Sequence, residues 1–509
     1  MTPTQVIDRV PGGRRVVAAL PTLIVAGAAG VAGLAGSFAL AGFTPSFVAG
    51  PVAGFLARTM PGAVITFAIV VLGDLGKQLN LLAALSIAAG LLAASAGVGL
   101  LVARRADFPG VGTVAAAVGA AVVSFLLTRA AVPSLGTAAG VGFVTAVAEL
   151  APMAPVGESA DRRRLLGAVA GGLAVSAGGF LFGRTGAKHG ATIDAGTVGN
   201  TESFSMPVDS LLAEANSKSL PVDGLEPLIS ENFYTVDINA TDPAIDESEW
   251  TLSVTGAVEE EIEYTFDEIR EMDAENRIVS LRCVGESLNG RKLDNAIWTG
   301  VPMSRIIEPA GVPDECCVML RATDDFFEEF PLSALRDSFL AYGMNGNPLP
   351  RKHGFPARAL IPGRWGEVNV KWLDEIEILT QPKDGYWENR GWMGTGPVNT
   401  VAKLRAQNKL ADGRIEVAGR AYAGTRGIRR VEVSTDGGET WTDATLSEEL
   451  PSDDALRQWV YRYRPPNDTH EVVVRATDGE GNLQPREESN PFPSGPTGWV
   501  SVEIDPQNV

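Results

Sequence analysis

Residues 281–300 read LRCVGESLNGRKLDNAIWTG, an apolar run that ends on Cys283, a polar glycine-bearing loop, and a second apolar run that closes on Trp298-Thr299-Gly300. A thiol at the end of a strand and the start of a loop stands where a thiolate would meet a ligand, and a buried structural cysteine fits the same spacing. Further along, residues 344–373 (MNGNPLPRKHGFPARALIPGRWGEVNVKWL) gather His353, Arg358, Arg364 and Lys371 between repeated Gly and Pro interruptions. Cations on rigid loops suit a phosphate dianion, through charge-assisted hydrogen bonds to its oxygens. Solvated basic residues in an acidic protein are the plainer alternative.

Outward from these two stretches, short apolar segments alternate with turns and short helices from about residue 227 to 396. Trp250–Val254, Ile278–Cys283, Cys317–Arg321 and Ala359–Pro362 read as strands, and Thr265–Glu271 and Pro302–Glu308 as helices opened by N-terminal signals. That mixture predicts an α+β domain. Beyond Pro397 the pattern is purely extended, over Arg414–Tyr422, Ile428–Ser434, Trp459–Tyr463, Thr469–Thr477 and Trp499–Ile504. Short alternating strands separated by turn signals predict an immunoglobulin-like sandwich. Ahead of both, Arg184 to about Pro227 is polar and rich in Gly, Ser and Thr, the composition of a tether.

The charge of the chain is unevenly spread. Residues 1–184 hold 6 acids and 12 Lys/Arg, whereas the remaining 325 residues hold 55 acids and 30 bases. So acidic a soluble part excludes nucleic acid as the expected partner, because phosphate binding needs a basic face. With 9 Lys against 33 Arg, the surplus carboxylates also suggest a halophilic source. Three cysteines, Cys283, Cys316 and Cys317, are too few for a disulfide framework, and the adjacent pair is expected to begin a buried strand unpaired.

Five uncharged stretches, 16–42, 81–103, 110–128, 130–148 and 165–183, are long enough to cross a bilayer at ~1.5 Å per residue. Their Gly and Ala content favours close helix packing. The interrupted piece 43–80 is expected to be interfacial or re-entrant, with Ala63–Leu72 as a sixth span in the alternative. With five spans, Arg14-Arg15, Arg104-Arg105 and Arg162–Arg164 share one side, which puts residue 184 onward outside the cell membrane. Asp161-Arg162-Arg163-Arg164-Leu165-Leu166 fits either a cytoplasmic charge anchor or a twin-arginine export signal. No His or Cys precedes position 185, and no Cys/His set later has iron-ligand spacing, so neither haem nor an iron–sulfur cluster is expected in this chain.

Taken together, Asn232-Phe233-Tyr234, the Cys283-Val284 turn, Trp298-Thr299-Gly300-Val301-Pro302 and the Met344–Leu373 block closely resemble the sulfite oxidase family of molybdenum-cofactor enzymes, over roughly residues 226–500. The extended C-terminal region, with Gly427–Ser434 and Arg475–Asp478, resembles that family's immunoglobulin-like dimerisation domain. The helical half lies outside the common core and resembles the membrane extension of some prokaryotic members. The resemblance implies four parts: a transmembrane region over 1–184, a polar linker over 185–225, a molybdopterin-binding catalytic domain over 226–396, and a dimerisation domain over 397–509.

By the same resemblance Cys283 matches the thiolate that binds molybdenum, beside the pterin dithiolene. Asn232, Phe233, Tyr234, Thr235, Val236, Asp237, Asp324, His353, Arg358, Asn369, Val370 and Lys371 match positions that hold the molybdopterin. The family chemistry is oxygen-atom transfer, with electrons then leaving singly to an external electron-transfer protein. Val236 and Leu288 stand where the family's sulfite site has arginines, and Trp392 stands for a Tyr. Arg390 keeps a basic residue nearby. The substrate is a small molecule, and the leading reading is a membrane-anchored oxidoreductase of sulfite oxidase type, able to form a homodimer through its C-terminal domain. The alternatives are an S-oxide reductase on the same cofactor, or a surface scaffold with a vestigial cofactor fold.

Overall fold

The computed structural model describes residues 13–106, 108–150, 206–239, 241–313 and 316–509, with 170 and 177–179. The chain divides into two compact units. One takes its described residues from 1–60, 74–193 and 238–244, the other from 61–73, 194–237 and 245–509.

The first unit is helical: α1 (Gly13–Ala41), α2 (Ala49–Thr59), α4 (Asp74–Ala103), α5 (Val111–Thr128) and α6 (Ala131–Leu150). Among the described residues four stretches, Pro21–Ala41, Leu75–Ala103, Val111–Thr128 and Ala131–Glu149, are apolar and long enough to cross a bilayer, which is compatible with a membrane protein. Ala49–Thr59 and Gly62–Leu72 add a fifth only when taken as one broken span. The span expected at 165–183 and the Arg162–Arg164 segment lie largely outside the described residues.

Small residues let α1 and α6 touch at the backbone. A Cβ built on Gly36 would lie 2.7 Å from the carbonyl carbon of Gly136, and one on Gly136 would lie 2.9 Å from that of Gly36. Close approach of this kind gains dispersion contacts along both backbones. Gly136→Val is therefore expected to part the two helices and lower the melting temperature of the protein. An unchanged melt would mean that the contact carries little. At the other end of the helical unit Glu149 caps α5, accepting from Gly110 N at 2.8 Å, Thr113 N at 2.7 Å and Thr113 Oγ1 at 2.8 Å, where a carboxylate meets the positive end of the helix dipole.

The second unit is built on four sheets. In the first, β1 (Thr251–Gly256) is antiparallel to the edge strand β2 (Ile262–Thr265) and parallel to the central β10 (Leu373–Leu379). The sheet continues through β5 (Cys317–Ala322) to β6 (Phe327–Pro331). The second sheet pairs β3 (Glu275–Arg282), β4 (Leu293–Pro302), β7 (Phe339–Met344) and β8 (Asn347–Pro348), with β9 (Arg358–Leu360) against β7. Short helices α8 (Phe266–Glu271), α9 (Met303–Ile307) and α10 (Leu332–Arg336) follow strands, and α8 opens on a capping box between Thr265 and Glu268. The result is the α+β domain expected.

The C-terminal region forms two four-stranded antiparallel sheets. One has the order β11 (Val401–Lys409), β12 (Ile415–Tyr422), β16 (Arg457–Tyr463), β15 (Thr445–Leu446). The other runs β14 (Thr442–Asp443), β13 (Ile428–Ser434), β17 (His470–Asp478), β18 (Val500–Ile504). Val417, Ala421 and Trp459 of the first share one core with Val431, Val472 and Val500 of the second.

Two expectations need correction. The segment read as a tether contains α7 (Val208–Lys218), whose Leu211 and Ala215 are buried in the same core. Its apolar pair is four residues apart on one helix face, a signal the polar composition masks. Second, Cys316 and Cys317 are joined by a disulfide, with Cys317 the first buried residue of β5. The ambiguous segment is bent by 108° between α2 and the following helix, and its 61–73 piece, which carries α3 (Gly62–Phe67) and a π-helical stretch (Ala68–Leu72), belongs to the unit with the sheets, where Ile69 and Val70 pack on the core.

Candidate active site

The hairpin β3–β4 positions the cysteine. Eight antiparallel pairs from Glu275–Gly300 to Arg282–Leu293 bring the strands together, and Cys283 N donates to Lys292 O at 3.1 Å to close the base of the loop between them. Inside the loop Glu286 carries the load: Lys292 N donates to its Oε2 at 2.7 Å, the Lys403 ammonium bonds its Oε1, and Arg282 Nε lies 3.6 Å away. All three of Arg282, Glu286 and Lys403 are buried. Arg282 is further held by the Asn399 carbonyl at 2.7 Å and lies over the Trp365 ring. Cys283 itself is a free thiol, half-buried, and burial pushes it up to about 11.

Around the thiol the aromatic and basic residues converge. Phe233 stacks on Tyr234 and meets Trp298 and His353 edge-on, at 5.5 and 5.6 Å between ring centres. Tyr234 N donates to Asp294 Oδ2 at 2.9 Å. A Cβ on Gly366 would stand 3.0 Å from the Tyr234 hydroxyl and 3.2 Å from the carbonyl of Arg282, one residue before the cysteine. Arg358 is buried against Trp298, donating to the carbonyls of His353 at 3.0 Å and Asn369 at 2.8 Å, and its Nε faces no acceptor among the described residues. Lys371 pairs with Asp237 at 3.0 Å and donates to Lys352 O at 3.2 Å.

The other residues named from sequence take supporting positions. Asn369 is spent on the backbone, accepting from Ile361 N and donating to Trp365 O, and the Val370 carbonyl accepts from Ala359 N. Asp324 accepts from Phe326 N in the β5–β6 turn, and its neighbour Thr323 donates to the carbonyl of Trp372. Thr235 is half-buried, while Asn232 and Val236 lie on the surface. Arg390 lies over the Tyr386 ring at 3.6 Å. Trp392 is buried between Trp387 and Phe492, and its ring edge is 3.6 Å from the Cβ position of Gly285. Arg364 bonds the Thr395 carbonyl.

Sequence reasoning missed Glu286, Arg282 and Lys403, which hold the cysteine loop, because a buried ion network has no local spacing to betray it. It also missed Ile69, whose Cγ2 lies 2.7 Å from where a Gly285 Cβ would stand, two residues from the cysteine. That contact joins residues more than two hundred positions apart.

His353 illustrates the electrostatics of the basic wall. Burial, with Arg358, Lys352 and Lys371 nearby, drives its imidazole down to about 3, so it is neutral at physiological pH. The unfolded chain takes a proton near pH ~6.5 that the folded chain refuses, so stability is full above that pH and is lost as pH falls toward 3. His353→Gln removes this term. The gap in unfolding free energy between wild type and variant is expected to narrow from about pH 6.5 to 4, by at most ~1.4 kcal/mol per pH unit. A constant gap would contradict a neutral His353.

The donor set fits a phosphorylated, sulfur-ligated metal cofactor: a soft thiol, a buried guanidinium with an open Nε, and an ammonium on neighbouring loops. Comparison with known proteins agrees. The "Oxidoreductase molybdopterin binding domain" family matches residues 239–387, and the "Mo-co oxidoreductase dimerisation domain" family matches residues 396–492. The chain is similar to the sulfite oxidase of Arabidopsis thaliana, 25% identical over 300 residues, covering 46% of this chain and 76% of that one. It is 29% identical over 297 residues to the mitochondrial sulfite oxidase of Mus musculus, covering 48% and 54%, and 27% identical over 311 residues to the NADH nitrate reductase of Solanum lycopersicum, covering 47% and 34%. The match thus spans about half the length of the mouse relative. Cys283, Arg358 and Lys371 all fall within the molybdopterin-binding match, and the sheets β11 to β17 within the dimerisation match. The chain is accordingly a molybdopterin oxidoreductase, similar to sulfite oxidases over about half of its length.

Proposed function

We propose that the protein is a membrane-anchored, extracytoplasmic enzyme that transfers an oxygen atom between water and a small substrate, in the manner of a sulfite oxidase. The observation that carries this reading is the run of contacts from the Cys283 loop to the basic residues: the Gly366 position beside both the Arg282 carbonyl and the Tyr234 hydroxyl, Tyr234 stacked on Phe233, Phe233 edge-on to Trp298 and His353, and buried Arg358 over Trp298. Bound there, molybdenum with its pterin would supply the two-electron oxygen-atom chemistry. Cys283 would hold the metal, and Arg358, Lys371, His353 and the backbone of Val370 would hold the pterin phosphate end. Phe233 and Trp298, both buried, would keep water from the cofactor, and Arg390 and Trp392 would line the substrate side. The immunoglobulin-like pair of C-terminal sheets would join two copies into a homodimer, and electrons would leave to an external redox protein.

A second reading, reduction of S-oxides, draws on three positions where the resemblance leads one to expect arginine or tyrosine. Leu288 and Trp392 are buried and Val236 is exposed, and none of the three carries a charge to favour an oxyanion. Two assays on the purified protein separate the readings: sulfite with ferricyanide as acceptor, and S-oxides with reduced viologen as donor. Turnover with sulfite supports the oxidase. Turnover confined to S-oxides supports the reductase.

A further inference from the structure

Beside the cysteine loop lies a set of acids that the cofactor does not use. Glu328 on β6, Glu367 and Glu388 come from three separate stretches of chain. Glu328 is fully buried, and Glu328 Oε2, Glu367 Oε1 and both oxygens of Glu388 are buried with no donor in reach among the described residues. Two glycines make room for them. A Cβ on Gly385 would overlap the Glu328 carboxylate and stand 2.6 Å from Glu388 Oε2, and a Cβ on Gly394 would overlap Glu367 Oε1. The same Gly394 position lies 3.1 Å from Val284 Cγ2, next in sequence to Cys283. The indole N–H of buried Trp392, two residues from Gly394, is likewise without a partner.

A buried, ionised carboxylate without a donor costs several kcal/mol, so such groups keep a proton, a water or a cation. Burial and mutual repulsion push Glu367 up to about 8 and Glu328 well above the carboxylate range. On the outer side Glu388 is next to half-buried Glu329, which in turn feels exposed Asp384, so acids lead stepwise from the cysteine loop to solvent. Arg390, over Tyr386, and Lys292, beside Cys283, are the nearby cations.

We propose that Glu367, Glu388 and Glu328 form the proton path between the cofactor pocket and the surface. Oxygen-atom transfer to a substrate X needs it: X + H2O gives XO with two protons and two electrons. The electrons pass singly to an external acceptor, and the protons pass from Glu367 through Glu388 and Glu328 to Glu329 and solvent. Run as a reductase, the same acids deliver the two protons inward. The inference rests on the oxygen-transfer reading above.

Two measurements on the full, molybdenum-loaded chain test it. Infrared spectroscopy at neutral pH should show a carbonyl stretch from protonated carboxyl groups that weakens in both Glu328→Gln and Glu367→Gln. Protein reduced chemically and re-oxidised with ferricyanide in a stopped-flow instrument, with no substrate present, should re-oxidise about 100-fold more slowly in Glu367→Gln, with a larger solvent isotope effect and unchanged molybdenum content. Glu367→Asp, which keeps a carboxyl, should restore most of the rate. Wild-type rates in both glutamine variants overturn the proposal, as does absence of the protonated band, or a tightly bound Mg2+ or Ca2+ that the variants lose. Molybdenum-free protein tells against the oxygen-transfer reading instead, and the infrared band then still decides whether the acids hold protons.

Discussion

Cys283→Ser is expected to leave a folded protein with oxidoreductase activity at background. The loop is closed by the backbone bond from Cys283 N to Lys292 O and by Glu286, neither of which involves the thiol, so the exchange of sulfur for oxygen costs the fold little. A hydroxyl, in contrast, is a poor replacement for the soft thiolate that is proposed to hold the metal. Changes to groups that only orient a ligand typically cost ~10–100-fold, and loss of the ligand itself should exceed that range. Retention of more than about a tenth of wild-type activity, measured with either assay above, would remove Cys283 from the metal.

The second large effect concerns Glu286. Its carboxylate is the shared anion for the Lys403 ammonium and the Arg282 guanidinium, all buried. Glu286→Ala leaves two cations without their counter-charge and is expected to destabilise the unit that carries the sheets by about 3–5 kcal/mol in urea titration. The pH dependence gives a sharper signature. Burial pulls Lys403 down to about 7 and Glu286 opposes that pull. Without Glu286 the lysine loses its proton in the folded state below pH 7 as well, where the wild-type lysine still holds it and the unfolded chain is protonated in both proteins. The stability of the variant then rises with pH through the range just below 7 while that of the wild type does so only above it, because the unfolded state binds more protons there. A variant equally destabilised at pH 5 and 8 would mean that the lysine is not the source of the loss.

Much of the catalytic unit was legible because its signals are local. The capping box at Thr265–Glu268, the alternation in Ile428–Ser434 and the strand entering Cys283 each depend on residues within a few positions. What could not be read depends on contacts between distant stretches. Ile69 against the Gly285 loop, Lys403 under Glu286, and Glu328 beside Glu388 join segments that no sequence window contains. Helix α7 was hidden for another reason, since polar residues dominate it and only Leu211 and Ala215 are buried in the core. The vicinal Cys316–Cys317 disulfide ran against a general expectation about adjacent thiols. Charge is no local guide to exposure either: Glu328 and Glu329 adjoin in sequence, and in the fold Glu328 has no exposed surface at all while Glu329 is half-buried.

The central claim is that this chain holds molybdenum through Cys283. X-ray absorption at the molybdenum edge, together with elemental analysis of protein purified from a molybdenum-replete host, tests it most directly. The account predicts about one molybdenum per chain, a pterin released on denaturation, and one fewer sulfur neighbour around the metal in Cys283→Ser. Molybdenum-free wild-type protein, or an unchanged sulfur count in the serine variant, would contradict it.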